Sequence, residues 1–380
     1  MLAHFSHHVV AALLSPLLPF IRDEFALDYT QAGWVVSAAT LAYGVSQLPA
    51  GWLADRVGPR ILITVGISGV GLAGLLVGLS PTYVMLVVFL VLLGAMGGGY
   101  HPAASPLVSE SVDPERRGLA LGIHQIGGTA SFFLTPLIAV GIAAALGWRG
   151  TFISLAVPAI VFGIVFYVLL GRRGHTKETE AAAVDNHVEK PPSSSGRLRH
   201  LVLFVILGVS FQILLFSIIA LLPLFVVDHF GVGVESAAFL LALYHSAGLW
   251  AGPLGGYLSD RIGKVPVMLV ASLITGPVIY LLGLVSFGWS ISIVLFVMGM
   301  FQYIGMPISE AYIISHTSER NRSSVLGIYY FASRGGPGII VPVIGYLFDR
   351  FSFGTSFTIV GTTLFIIALG CSVFLWGSRD

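Results

Sequence analysis

Residues 61–110 form one apolar stretch, divided only by Ser80-Pro81-Thr82-Tyr83. A helix needs about 20 residues to cross ~30 Å of hydrocarbon, and lipid offers no partner to free backbone N–H and C=O groups. The stretch therefore reads as two transmembrane helices joined by a tight turn. Similar runs fill the chain, near 2–22, 30–54, 60–79, 82–109, 117–145, 149–170, 200–227, 236–258, 265–286, 289–316, 323–348 and 353–376. With 56% hydrophobic and 10% charged residues, and a mean hydropathy of +0.91, nothing is left for a soluble domain. The ten-residue alternation of a membrane β-barrel is absent. The expectation is an all-α membrane protein of twelve transmembrane helices.

The first span has neither a basic leading segment nor a small-residue cleavage site, so it is expected to stay as a helix. Of the 19 Lys and Arg, Arg22, Arg149 and Arg350 follow odd-numbered spans and Arg334 lies within one. The other fifteen follow even-numbered spans. Basic loops stay cytoplasmic, which puts both termini inside a cytoplasmic membrane. The net charge of +1 then reflects topology and gives no hint of nucleic acid. Lone Cys371 excludes a disulfide framework.

Residues 171–199, rich in Ser, Pro and mixed charge, read as a cytoplasmic linker between a bundle at 1–170 and another at 200–380. Around it the sequence repeats at an offset of 205: Asp55-Arg56-x-Gly58 with Asp260-Arg261-x-Gly263, Pro102 with Pro307, Arg117 with Arg322, Leu121-Gly122-Ile123 with Leu326-Gly327-Ile328, Asp23 with Asp228 and Phe25 with Phe230. One offset fitting anchors across each half means a six-helix unit duplicated in parallel, with pseudo-two-fold symmetry. Two such halves rock about a site near the midplane.

The loop carrying Gly51, Leu53, Asp55, Arg56, Gly58 and Arg60 resembles the signature between helices 2 and 3 of the major facilitator superfamily, with Pro59 a departure. The resemblance covers essentially the whole chain. Pro16 and Pro19 resemble the P-x-x-P of drug:proton antiporters. Residues 100–105 (YHPAAS) with 116–136 (RRGLALGIHQIGGTASFFLTP) resemble the fosmidomycin-resistance branch. Two features depart from the usual drug exporters: helix 4 has no arginine, and the Gly-Pro of the helix 5 motif reads Thr135-Pro136. The resemblance implies that Asp55 latches the halves on the cytoplasmic side. Arg56, Arg60, Gly51, Gly58, Arg117, Asp260 and Arg261 are gating candidates with it. A charged turn that satisfies the positive-inside rule would account for either copy alone.

Ionisable groups inside a span are costly and face a cavity or a partner. Glu310 is the one acidic residue that cannot be placed at a span end, and Arg334 is its basic counterpart on the next helix. They differ in depth by ~6 Å at 1.5 Å per residue. They read as a fixed brace, or as a proton-exchanging carboxylate beside an arginine that holds it charged or binds an anion. His101 and His124 are further proton carriers, while His4, His7 and His8 share one helix face. No carboxylate or thiolate joins these histidines at ligand spacing, so no metal site is expected. Further substrate-site candidates are Gln125, His8 and His4, with Tyr43, Gln47, Tyr244, His245, Gln302, Tyr303, Tyr329 and Tyr330, half of these last eight being expected to be scaffold. Small-residue runs at 94–100 and 333–338 suit close helix contact and bending.

No nucleotide loop, hydrolase elbow or zinc motif occurs, so an enzyme is not expected. The expected function is secondary active transport of a small organic solute, without a cofactor, driven by the proton gradient, by a monomer in the lipid bilayer. Efflux of a drug-like or anionic compound is the first reading, uptake or exchange of an organic anion the second. A non-transporting sensor or assembly factor is the alternative of another class.

Overall fold

The computed structural model describes residues 1–113, 116–174, 195–317 and 319–375. The side chains of Gly51, Asp55 and Arg117 lie outside the described residues, as does 175–194 of the expected linker. Every regular element described is helical. In the first half α1 covers Leu2–Phe25, α2 Tyr29–Val57, α3 Pro59–Gly78 and α4 Tyr83–Glu110. Helices α5 (117–146) and α6 (148–174) are continuous except at Gly147, whose φ of 69° breaks the run. The second half holds α7 (Ser195–Phe230), α8 (Val234–Leu249 and Ala251–Ile262, bent by 43°), α9 (Lys264–Leu281), α10 (Trp289–His316), α11 (319–350) and α12 (Phe353–Leu375). These are the twelve expected spans. Helices α6 and α7 run four or five residues past the expected linker boundaries, because a helix satisfies its own backbone groups beyond the hydrocarbon edge as well.

The two halves meet chiefly where α2 packs on α11 and α5 packs on α8. Glycine makes the first contact close: a methyl added to Gly33 would meet Pro342 Cα at 2.7 Å. One apolar core runs through both halves, with Val10 and Phe152 buried in the first and Phe211, Phe225 and Phe357 in the second. Val84, Val161 and Ile366 are exposed, which suits a lipid-facing surface.

The two copies of the charged turn have the same backbone. Gly58 sits at φ 83°, ψ 150° and Gly263 at φ 98°, ψ 152°. This region is essentially closed to residues with a Cβ, so each copy needs its glycine.

Candidate functional site

A small cavity opens in the second half between α7, α10 and α11. Glu310, Gln302 and Met306 line it from α10, Tyr329, Tyr330 and Arg334 from α11, and Gln212 from α7. Arg334 is held in a π-helical turn, Phe331–Gly335. Pro337 has no N–H to give the Ser333 carbonyl, so the regular ladder cannot continue there and the turn widens.

Glu310 and Arg334 share the cavity without touching: among the described residues no ion pair within 4.0 Å joins them. Arg334 makes one weak contact, from Nη2 to Met306 Sδ at 3.6 Å, and lies within electrostatic reach of Glu310, His8, His101 and Tyr43. The Tyr330 hydroxyl lies against the Glu310 carboxylate. Gln302 donates to Gln212, which leaves Gln212 Nε2 and Gln302 Oε1 buried without partners. The wall thus carries a guanidinium together with a buried amide donor and a buried amide acceptor that lack partners. Gln212 escaped the sequence reading, since a lone amide within an apolar run shows no periodicity that marks its face.

The histidines gather in the first half. The His4 and His124 rings stack at 4.3 Å, and His4 lies 5.0 Å from His101 and 4.9 Å from His8, centroid to centroid. His7 stacks on Tyr100 at 4.2 Å. The repeat offset carries His7 onto Gln212, His101 onto Met306 and His124 onto Tyr329. The histidine cluster is therefore the symmetry counterpart of the Glu310–Arg334 cavity.

Tyr43 lies 6.5 Å from the His7 ring, and Gln47 is buried with Nε2 unpartnered. The His245 Nδ1 meets the Tyr303 hydroxyl at 2.8 Å, and its ring approaches Phe132 of the other half at 5.4 Å. Two expected site residues fall elsewhere. Tyr244 is 1% exposed in the core of its own half, and Gln125 points out to an exposed surface. Both reflect helix rotation, which neighbouring helices decide.

At the charged turn, Arg60 donates from Nε to the Tyr167 carbonyl at 2.8 Å and stacks over that ring, so it braces α3 to α6 within one half. Arg56 covers Trp52 and Arg261 covers Tyr257, while Asp260 is exposed. Among the described residues, none of these side chains joins the halves.

The opposite end is tied. Arg22 binds Asp23 at 2.9 Å and Asp228, the two aspartates related by the repeat; Tyr29 also donates to Asp228. Asp349 caps α2 from the other half, accepting from Tyr29 N and Thr30 N at 2.9 Å each and from Thr30 Oγ1 at 2.6 Å. Asp28 and Gln31 complete that helix end with a capping box. Asp349 stands just past the end of the 323–348 run, where nothing in the sequence reveals a cap supplied from 319 residues away.

The chain matches the Major Facilitator Superfamily over residues 1–249 and 204–380. It belongs to that superfamily. It is 28% identical over 275 residues to the probable sulfoacetate transporter SauU of Cupriavidus necator, an alignment covering 69% of this chain and 64% of that protein, under two thirds of its length. It is 24% identical to the hexuronate transporter of Bacillus subtilis, covering 98% of this chain and 90% of the relative. It is 25% identical to the multidrug resistance protein MdtG of Salmonella arizonae, covering 81% and 78%. Such transporters are not enzymes, and this chain is a multi-pass membrane protein of a family that moves small molecules.

Proposed function

We propose that this superfamily member is a proton-coupled secondary transporter of a small organic anion, rocking 1–170 against 200–380 around the Glu310–Arg334 cavity. The carrying observation is a guanidinium without an ion-pair partner among the described residues, in a membrane-embedded cavity beside a carboxylate it does not contact. A buried charge needs a counter-charge, and a solute carboxylate or sulfonate would supply it bidentately. The relatives named for sulfoacetate and hexuronate support this substrate class. Glu310 is the proton carrier in this scheme. His101 and His124 sit in the stacked cluster across the cavity, so the scheme does not rest on them.

The multidrug relative favours a second reading, efflux of a drug-like compound. Proteoliposomes loaded on one side with carboxylates, sulfonates or drug-like cations separate the two. Anion flux should dominate, and Arg334→Gln should raise its KM by about 10- to 100-fold, as loss of a charged hydrogen-bond pair of ~1.5–3 kcal/mol requires. Undiminished anion flux in that variant would sink the assignment.

The basic loops make the charged-turn end cytoplasmic, with both termini inside. On that topology the tied end is outer, which supports reading the structure as an inward-open state. Asp55→Asn should lower transport about two- to fivefold at unchanged membrane abundance, the ~0.3–1 kcal/mol of one charged contact near a helix end. Transport at the parental rate would remove the latch.

A further inference from the structure

We propose that His4, His8 and His101 form a transition-metal site on the first half of the molecule, facing the anion cavity. One ring nitrogen of each lies within 4.8 Å of the others. His4 is 2% exposed, and its Nδ1 sits 2.9 Å from the backbone carbonyl of His124. A carbonyl only accepts, so the proton is on Nδ1 and Nε2 carries a bare lone pair. That Nε2 is buried and has no hydrogen-bond partner. An imidazole anchored through Nδ1–H to a backbone carbonyl, with Nε2 free, is the arrangement that orients and enriches a metal-ligating histidine.

The second and third ligands follow from helix geometry. His8 is one turn along α1 from His4, on the same face. His101 enters from α4, and its ring lies 5.0 Å from that of His4 and 5.3 Å from that of His8. Zinc–nitrogen bonds of ~2.0–2.1 Å place tetrahedral ligand atoms about 3.4 Å apart. Closing from 4.8 Å requires small side-chain rotations of His8 and His101, both of which border open space. Three neutral imidazoles suit Zn²⁺, Co²⁺, Ni²⁺ or Cu²⁺ and disfavour Mg²⁺ and Ca²⁺. Among the described residues no carboxylate completes the set, so a fourth position stays open toward Arg334, which lies within electrostatic reach of His8 and His101. An ion there and the guanidinium repel each other, and an anion between them relieves both.

The test is tag-free, chelator-stripped, detergent-purified protein titrated with Co²⁺ and Zn²⁺. One equivalent should bind, with visible d–d bands from Co²⁺, and X-ray absorption of the zinc form should give imidazole nitrogens at ~2.0 Å. His8→Gln and His101→Gln should each weaken binding at least tenfold. His124→Gln should keep it, because the carbonyl that anchors His4 is backbone. Absence of a stoichiometric ion, an all-oxygen shell, or unchanged affinity in both ligand variants would overturn the site. The absorption measurement on unmodified protein decides even where a variant does not fold. Because it reads metal and not flux, failure of the anion assignment leaves it intact.

Discussion

Glu310→Gln is expected to abolish uphill transport while leaving exchange intact. Glutamine keeps the shape and the hydrogen-bonding capacity toward Tyr330 but cannot bind and release a proton. With a pH difference of one unit across a proteoliposome, each coupled proton can drive about tenfold accumulation, since one pH unit is ~1.36 kcal/mol. The variant should therefore fall from about tenfold accumulation to equality, with counterflow of labelled solute near the parental rate. A brace between α10 and α11 would behave differently, losing folded protein in the membrane. Full accumulation by a well-folded variant would move the coupling site away from Glu310.

The second large effect is expected at the tied end, in the double variant Asp228→Asn, Asp349→Asn. Asp228 accepts from Arg22 and Tyr29, and Asp349 holds two backbone donors and a hydroxyl of α2 across the boundary between halves. These groups are partly exposed, the Asp228 side chain by 25%, so solvent screening discounts each contact to about 1 kcal/mol or less. Two such contacts still shift a balanced two-state equilibrium by up to about thirtyfold, and alternating access depends on that balance. Spin labels on the outer ends of α2 and α11 should show a long-distance population growing by that factor. An unchanged distance distribution would mean that apolar packing, not these carboxylates, holds the end shut. Neutralising both should also lower turnover, because the inward-open state becomes harder to reach.

Much of this was open to a reader of residues. Apolar runs report burial in lipid through length alone, so the twelve helices are visible before any contact is known. The offset of 205 pairs local motifs, and the Gly58 and Gly263 turns have matching backbones for that reason. Glu310 and Arg334 stand out because a charge in hydrocarbon is expensive wherever the helix turns. The placement of Gln125 at an exposed surface and of Tyr244 in the core was not legible, because a polar residue in a span does not reveal its azimuth, which packing against neighbouring helices sets. The linker shrank at both ends for a related reason: helices extend past the hydrocarbon whenever the backbone permits, whatever the composition.

Length, hydropathy and internal repetition by themselves determined a duplicated six-helix membrane transporter fold, because the cost of burying backbone and charge in lipid is paid residue by residue. Only the tertiary structure decided that Glu310 and Arg334 share a cavity without pairing, that Asp349 caps a helix in the other half, and that His4, His8 and His101 converge. Those relations depend on the rotation and approach of helices brought together from distant parts of the chain, and no local pattern encodes them.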